Sequence, residues 1–231
     1  MEEVYTVALR RSKRARRMSI RIREAGVVEL VLPLRASERA GNAFVQSRHS
    51  WIARALSVQK KREGLQKPVV WEHGAAVPCF GDTLQLSIVC KPNRTRSTVS
   101  LRGPALVVNV ANMSQVHKAL STWYRREAEA YCIGQVQEYA DVLGVSFSSI
   151  RAIHMKSQWG SCNSKTKALT FNWKLALAPE EIARYVIAHE VAHLVQANHS
   201  KAFWNVVIKL DADYMLHRKW LKVYGGGLYI R

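Results

Sequence analysis

The sequence predicts an α+β fold in which a strand-rich first half precedes a helix-rich second half. Short apolar alternations recur before residue 110, a long helical stripe begins at Met113, and a second apolar helical segment follows Pro179. The change of character near residue 111 divides the chain into a β-rich region with one helix, 1–110, and a helix-rich region, 111–231. With no Gly-, Pro- or Ser-rich linker between them, the two could also form a single compact unit.

In 231 residues, 48% of them hydrophobic, there is enough apolar material for a sizeable core, which excludes an intrinsically disordered chain. Cys79, Cys90, Cys132 and Cys162 form no C-x-x-C pair, so neither a zinc ribbon nor a disulfide framework is implied, and reduced thiols are expected. Glu2 and Glu3 stand where a secretory leader would be basic, and no apolar run reaches membrane-spanning length. A soluble, cytoplasmic protein with no membrane partner is the expectation. Lys and Arg number 35 against 17 Asp and Glu, and the net charge of +18 attracts polyanions at long range. A nucleic-acid or nucleotide partner and a merely solubilising charge both remain open.

Val4 to Leu9, Met18 to Arg23 and Val27 to Leu32 read as strands; in the second, Met18, Ile20 and Ile22 share one face and Arg21 and Arg23 the other. The cations Arg10, Arg11, Lys13, Arg14, Arg16, Arg17, Arg21 and Arg23 either follow a phosphate backbone or form a solvated hairpin edge that deters aggregation. Ser37 can cap a helix to about Arg62, with Phe44, Val45, Trp51, Ile52 and Leu56 on its apolar face and Gly64 as its stop. Strands are expected again over Leu84 to Val89, Thr98 to Leu101 and Ala105 to Val110.

From Met113 to Leu143 an apolar stripe through Leu120, Trp123, Tyr124, Val136 and Tyr139 predicts one long helix, ended by Gly144. Ser148 to Met155 and Ala168 to Trp173 read as strands, with a turn at residues 163–166. Pro179 suits a helix start, with Glu180 and Glu181 against its positive end, and the apolar pattern runs on to about Ala197.

That last segment contains His189-Glu190-Val191-Ala192-His193, an H-E-x-x-H sequence. Four residues advance about 400° on a helix, so both imidazoles leave the same side and can share a tetrahedral ion, while Glu190 lies about 100° away from His189. There it can take a proton from a zinc-bound water as general base. A catalytic zinc needs a third protein ligand, and His199 is the candidate. An unbroken helix would carry His199 about 240° round from His193 and about 9 Å onward, so the chain must turn. Asn198 tolerates the left-handed conformation that ends a helix, and Ser200 can cap the next one, which carries Phe203, Trp204, Val207 and Leu210. Asp211 or Asp213 as third ligand is the alternative.

These residues, together with Trp159-Gly160-Ser161-Cys162, Asn172, Tyr185, Asn198-His199-Ser200 and Phe203-Trp204, resemble the YgjP-like metallopeptidase family, which is related to the SprT-like and WLM minimal gluzincins. The resemblance spans nearly the whole chain, with Val191 standing where leucine is usual. It implies a zincin-like catalytic half whose active helix lies beside the strand bearing Trp159 to Cys162, with Trp159, Gly160 and Ser161 as a possible substrate cleft, and it implies peptide hydrolysis.

Gly160-Ser161 could equally be a bulge with Trp159 in the core. Cys162 as a further ligand is a minor alternative, and Asn172 and Tyr185 could orient the site or simply pack. His49, His73, His117, His154 and His217 lack ligand spacing to the motif. The Gly225-Gly226-Gly227 tract lacks the context of a phosphate loop and reads as a tail. The leading expectation is Zn2+-dependent amide hydrolysis. Hydrolysis of a nucleotide phosphoanhydride is the enzymatic alternative, and a basic nucleic-acid-binding protein with structural zinc is the non-enzymatic one.

Overall fold

The computed structural model describes residues 5–23, 27–53, 55–56 and 70–228. The protein is a mixed α+β molecule whose contacts divide it into two compact units, Met1–Lys67 and Pro68–Arg231.

In the first unit β1 (Val7–Ser12), β2 (Ser19–Ile22) and β3 (Val28–Pro33) form a sheet in the order β1-β3-β2, with β1 parallel and β2 antiparallel to β3. Alternation puts Val28, Leu30 and Leu32 on one face of β3, where they are fully buried with Val45 and Ile52. Helix α1 (Glu38–Ser47) supplies Val45 and is capped as expected, the Ser37 hydroxyl accepting from the Ala40 amide at 3.2 Å. At Arg48 the helix breaks, and residues 49–53 and 55–56 continue in helical conformation. The expected run to Arg62 and its stop at Gly64 lie outside the described residues.

The second unit opens with a four-stranded sheet of β4 (Ala76–Cys79), β5 (Asp82–Cys90), β6 (Thr98–Arg102) and β7 (Ala105–Val110), ordered β4-β5-β7-β6. No alternation announced β4, because Pro78 interrupts it; β4 is an edge strand, where a proline is tolerated. Phe80 and Gly81 join β4 to β5 with φ of 48° and 88°, the two positive values that a tight hairpin turn requires. Holding a phenylalanine there is offset by stacking on Tyr131 at 4.0 Å and by a 2.8 Å bond from its amide to the Ala176 carbonyl.

Helix α2 (Val116–Leu143) is the spine of this unit. Its first half buries Val116, Leu120, Trp123 and Tyr124 in a core shared with Leu86, Leu106, Val108 and Val110 of the sheet. Cys132, Val136 and Tyr139 of its second half enter another core with Leu169, Phe171, Leu175 and the buried face of the HExxH helix. The change from sheet-rich to helix-rich sequence near residue 111 therefore falls inside the second unit, where strand and helix feed one continuous core. A second sheet follows: β8 (Ser149–Ile153), β9 (Gly160–Asn163) and β10 (Ala168–Asn172), ordered β8-β10-β9, with β8 parallel and β9 antiparallel to β10. The Glu129 carboxylate of α2 accepts from the Ala152 amide at 2.9 Å and fastens β8 to the helix. A 3-10 turn, Trp173–Leu177, takes up residues expected to end the strand, and α3 (Glu180–Ala192), α4 (Lys201–Leu210) and α5 (Tyr214–Tyr224) complete the unit. No described helix is long and apolar enough to cross a membrane.

Gly144 ends α2 at φ 64°, where a side chain is strained, whereas Gly134 sits inside α2 with open space around the position of a Cβ. Gly144→Ala should therefore destabilise the protein by about 1–2 kcal/mol, and Gly134→Ala should stabilise it by about 0.5–1 kcal/mol. Denaturant unfolding of the two variants checks the opposite signs.

Candidate metal centre

Helix α3 carries His189 and Glu190, with His193 at its C-cap; Glu190 is buried and both histidines are half-buried. Tyr131 of α2 donates to Glu180 at 2.9 Å, and the Arg184 guanidinium donates to the Tyr139 hydroxyl at 3.2 Å, so its outer turns are tied to α2. Ile182, Ala183, Val186, Ile187, Ala188, Val191 and Ala192 are buried along its length. His189 and His193 lie one turn apart with ring centroids 5.0 Å from each other.

The helix stops at Ala192, earlier than the apolar pattern to Ala197 suggested, and Asn198 does not take the left-handed conformation; among described non-glycine residues only Phe80 and Lys167 have positive φ. Backbone tightening is the reason. The amides of His193, Leu194 and Val195 bond to carbonyls three residues back, at 3.2, 2.9 and 3.1 Å. His193 Nδ1 lies 3.0 Å from the Gln196 carbonyl and closes the turn. Ser200 then caps α4 as expected, its hydroxyl accepting from the Phe203 amide at 3.4 Å.

This tight turn brings His199 back to α3. One nitrogen from each of His189, His193 and His199 lies within 4.8 Å of the others. His189 Nε2 and His199 Nε2 are 3.0 Å apart, near the roughly 3.3 Å separation of two nitrogens on a tetrahedral zinc. Phe203 and Trp204 of α4 wall the cluster: Phe203 lies 4.9, 4.5 and 4.7 Å from the three imidazoles, and Trp204 stacks on His199 at 5.9 Å. Of the aspartates considered as third ligand, Asp213 is exposed and outside the histidine group, and Asp211 is engaged elsewhere. Asp211 lies 2.8 Å from His217 Nδ1 and accepts from the Asp213 amide at 3.1 Å.

The donor set fits a divalent ion of the zinc type. Burial first, then neighbouring His193, His199 and Arg218, drives the pKa of His189 down to about 3; burial also lowers that of His193. Both shifts favour the neutral imidazole that ligation demands. The Gln196 carbonyl accepts a hydrogen bond from the His193 Nδ1–H, which leaves Nε2 as the nitrogen with a free lone pair. His189 Nδ1 is buried without a hydrogen-bond partner among the described residues.

Glu190 is 7% exposed. Burial raises its pKa to about 7, opposed by a hydrogen bond from the Cys162 backbone. Gly160 of β9 lies against it: a Cβ added there would fall 2.6 Å from Glu190 Cγ and 2.8 Å from Oε1. Sequence reading placed Gly160 in a cleft or bulge without seeing this contact; a glycine in a strand beside the motif is the signal that could have found it. Gly160, Ser161, Cys162, Glu190 and the three histidines line a cleft of about 340 Å3, joined by Gln158, Ser164 and Ala197.

Trp159 is not part of that lining. It is half-buried against the second core and packs on Gly225, whose Cβ would meet it at 3.1 Å. Gly225–Gly227 is thus a packed 3-10 turn and not the expected tail. Asn172 has a structural part: its amide group donates to the Met155 and Gln158 carbonyls at 2.9 and 3.2 Å and holds the loop ahead of Gly160. Tyr185 is buried with its ring 6.2 Å from that of His189. Cys162 has its thiol pKa pushed up to about 11 by burial and then by Glu190, which keeps it protonated.

Two substitutions test this geometry. Gly160→Ala should displace the Glu190 carboxylate and lower turnover at least about 10-fold while metal uptake stays within about twofold, as seen by parallel kinetics and metal titration. His199→Ala should weaken zinc affinity by at least about 100-fold with the circular dichroism spectrum unchanged.

No curated protein matches the chain. Two solved structures are similar: the metallopeptidase zymogen of Pyrococcus abyssi abylysin, 24% identical over 40% of this chain and 94% of that one with a TM-score of 0.35, and that of Methanocaldococcus jannaschii jannalysin, 27% identical over 39% and 95% with a TM-score of 0.34. The model of the YgjP-like metallopeptidase domain matches residues 16–224, a span that holds the histidine cluster, Glu190 and Gly160, and by that match the chain belongs to the YgjP-like metallopeptidase family.

Proposed function

We propose that the protein is a zinc-dependent hydrolase of peptide bonds with a zincin-like catalytic half, in which His189, His193 and His199 hold the ion and Glu190 is the general base. The convergence of three imidazole nitrogens within 4.8 Å beside a buried carboxylate carries this reading.

When bound, the ion supplies Lewis acidity, acidifying a water toward neutral pH and polarising a carbonyl. Glu190 takes the proton from the attacking water and hands it to the departing amine, so one carboxylate serves as base and then as acid. Gly160 and Ser161 form one wall of the cleft, and Gly160 keeps Glu190 in place through close backbone approach. Trp159, next in the chain to that wall, packs on Gly225.

A second reading, hydrolysis of a nucleotide phosphoanhydride, is favoured by the net charge of +18. Against it, neither Lys nor Arg is among the residues lining the cleft, so apart from the ion and Arg218, which acts on His189 from outside that lining, a polyphosphate would meet little counter-charge there. A neutral amide needs none.

Assays of the zinc-loaded protein against a peptide library and against nucleoside triphosphates separate the two readings, and only peptide turnover agrees with the first. In either assay Glu190→Gln should lower kcat by about 10²- to 10⁴-fold and retain metal. A variant with undiminished turnover removes Glu190 from the mechanism.

A further inference from the structure

The positive charge is not spread evenly. Residues 1–67 hold 16 Lys and Arg against 6 Asp and Glu, a net charge of +10, while 68–231 carry the remaining +8 over more than twice the length. Solubility asks for no such concentration in a small unit, for which a net charge of roughly 2–8 suffices.

Topology gathers part of that charge at one place. β1 ends where Ser12 pairs with Pro33, at the C-terminal end of β3, and β2 starts beside the same end, where Ser19 pairs with Val31. Since β1 and β2 flank β3, the connection through residues 13–18 arches over that end across two strand spacings, about 10 Å. The arch carries Lys13, Arg14, Arg16 and Arg17, all exposed, and none of them makes an ion pair among the described residues. Acidic partners go to the strands instead: Glu29 pairs with Arg23 at 2.6 Å and Arg10 at 3.4 Å, and Glu38 with Arg11 at 3.4 Å. Arg11 further donates to the Leu34 and Ala36 carbonyls at 3.1 and 2.9 Å, which fixes the foot of the arch.

Protection of sheet edges accounts for Arg10, Arg11, Arg21 and Arg23, which lie on or beside the edge strands. It does not account for the arch, which has no open ladder to guard. Three of its four cations are arginine, whose planar fork matches phosphate oxygens in a bidentate way, whereas attraction to an anionic membrane draws no distinction from lysine.

We infer that the arch formed by Lys13, Arg14, Arg16 and Arg17 in the first unit is a binding site for the phosphate backbone of nucleic acid. Recognition is independent of base sequence, because the arch offers charge and forks but no aromatic stacking platform. The inference is independent of the metal centre and of any hydrolytic activity.

The test uses the full chain and fluorescently labelled single-stranded and duplex DNA over a salt series. The expected result is binding whose log affinity falls linearly with log salt. K13Q/R14Q/R16Q/R17Q should lower affinity at about 0.1 M salt at least about 10-fold and reduce the slope by about 3, while R16Q/R17Q, the milder variant should the first not fold, should reduce it by about half as much. K91Q/R96Q/K209Q/K222Q, which removes as many exposed charges from the second unit, should change affinity less than about threefold. Equal losses in the two quadruple variants, no binding by the native protein at about 50 mM salt, or tighter binding to phosphatidylserine vesicles than to DNA would each overturn the inference.

Discussion

The candidate site depends on a carboxylate placed inside a helix that is buried along most of its length. Burial works against a charged Glu190 and raises its pKa to about 7, and the surroundings offer it a backbone hydrogen bond from Cys162 and the empty side-chain position of Gly160. A methyl group at Gly160 would occupy the space of the glutamate itself. The edge of the β8-β10-β9 sheet and the last turn of α3 are therefore fitted to each other at one point. Asn172, through its bonds to the Met155 and Gln158 carbonyls, holds the backbone that makes this approach.

The second dependence is the early end of α3. Were the helix to continue, His199 would point away from His189 and His193. Bonding three residues back after Ala192, with His193 Nδ1 against the Gln196 carbonyl, turns the chain within a few residues, and the Ser200 cap starts α4 so that Phe203 and Trp204 face the imidazoles. His193 thus takes part in both the turn and the cluster, which couples formation of the proposed third ligand position to the fold of the segment.

Much of this architecture was legible in the residues. Alternation revealed Ser19–Ile22 and Ala105–Val110, the long apolar stripe and Gly144 marked α2, and the spacing of His189, Glu190 and His193 announced the centre. What stayed hidden has local causes. Pro78 broke the pattern of β4. Leu194 and Val195 prolonged the apolar periodicity of α3 past its real end, since side-chain pattern does not report a change from four-residue to three-residue hydrogen bonding. Trp159 and Gly225 face each other across a separation of more than sixty residues, a contact that composition cannot disclose. The division of the chain was obscured in the same way, because the sheet of β4 to β7 shares its core with α2, across the change of sequence character near residue 111.

In this member of the YgjP-like metallopeptidase family the histidine cluster lies in one unit and the concentrated positive charge in the other, so the two proposals can be tested separately. The central claim is that three imidazoles of this chain, and no thiolate, hold one zinc ion. X-ray absorption at the zinc edge of the loaded protein addresses it most directly. The account predicts a shell of nitrogen and oxygen scatterers at about 2.0–2.1 Å with an imidazole multiple-scattering pattern for three histidines. A sulfur scatterer at about 2.3 Å, or a pattern for fewer than three imidazoles, would contradict it.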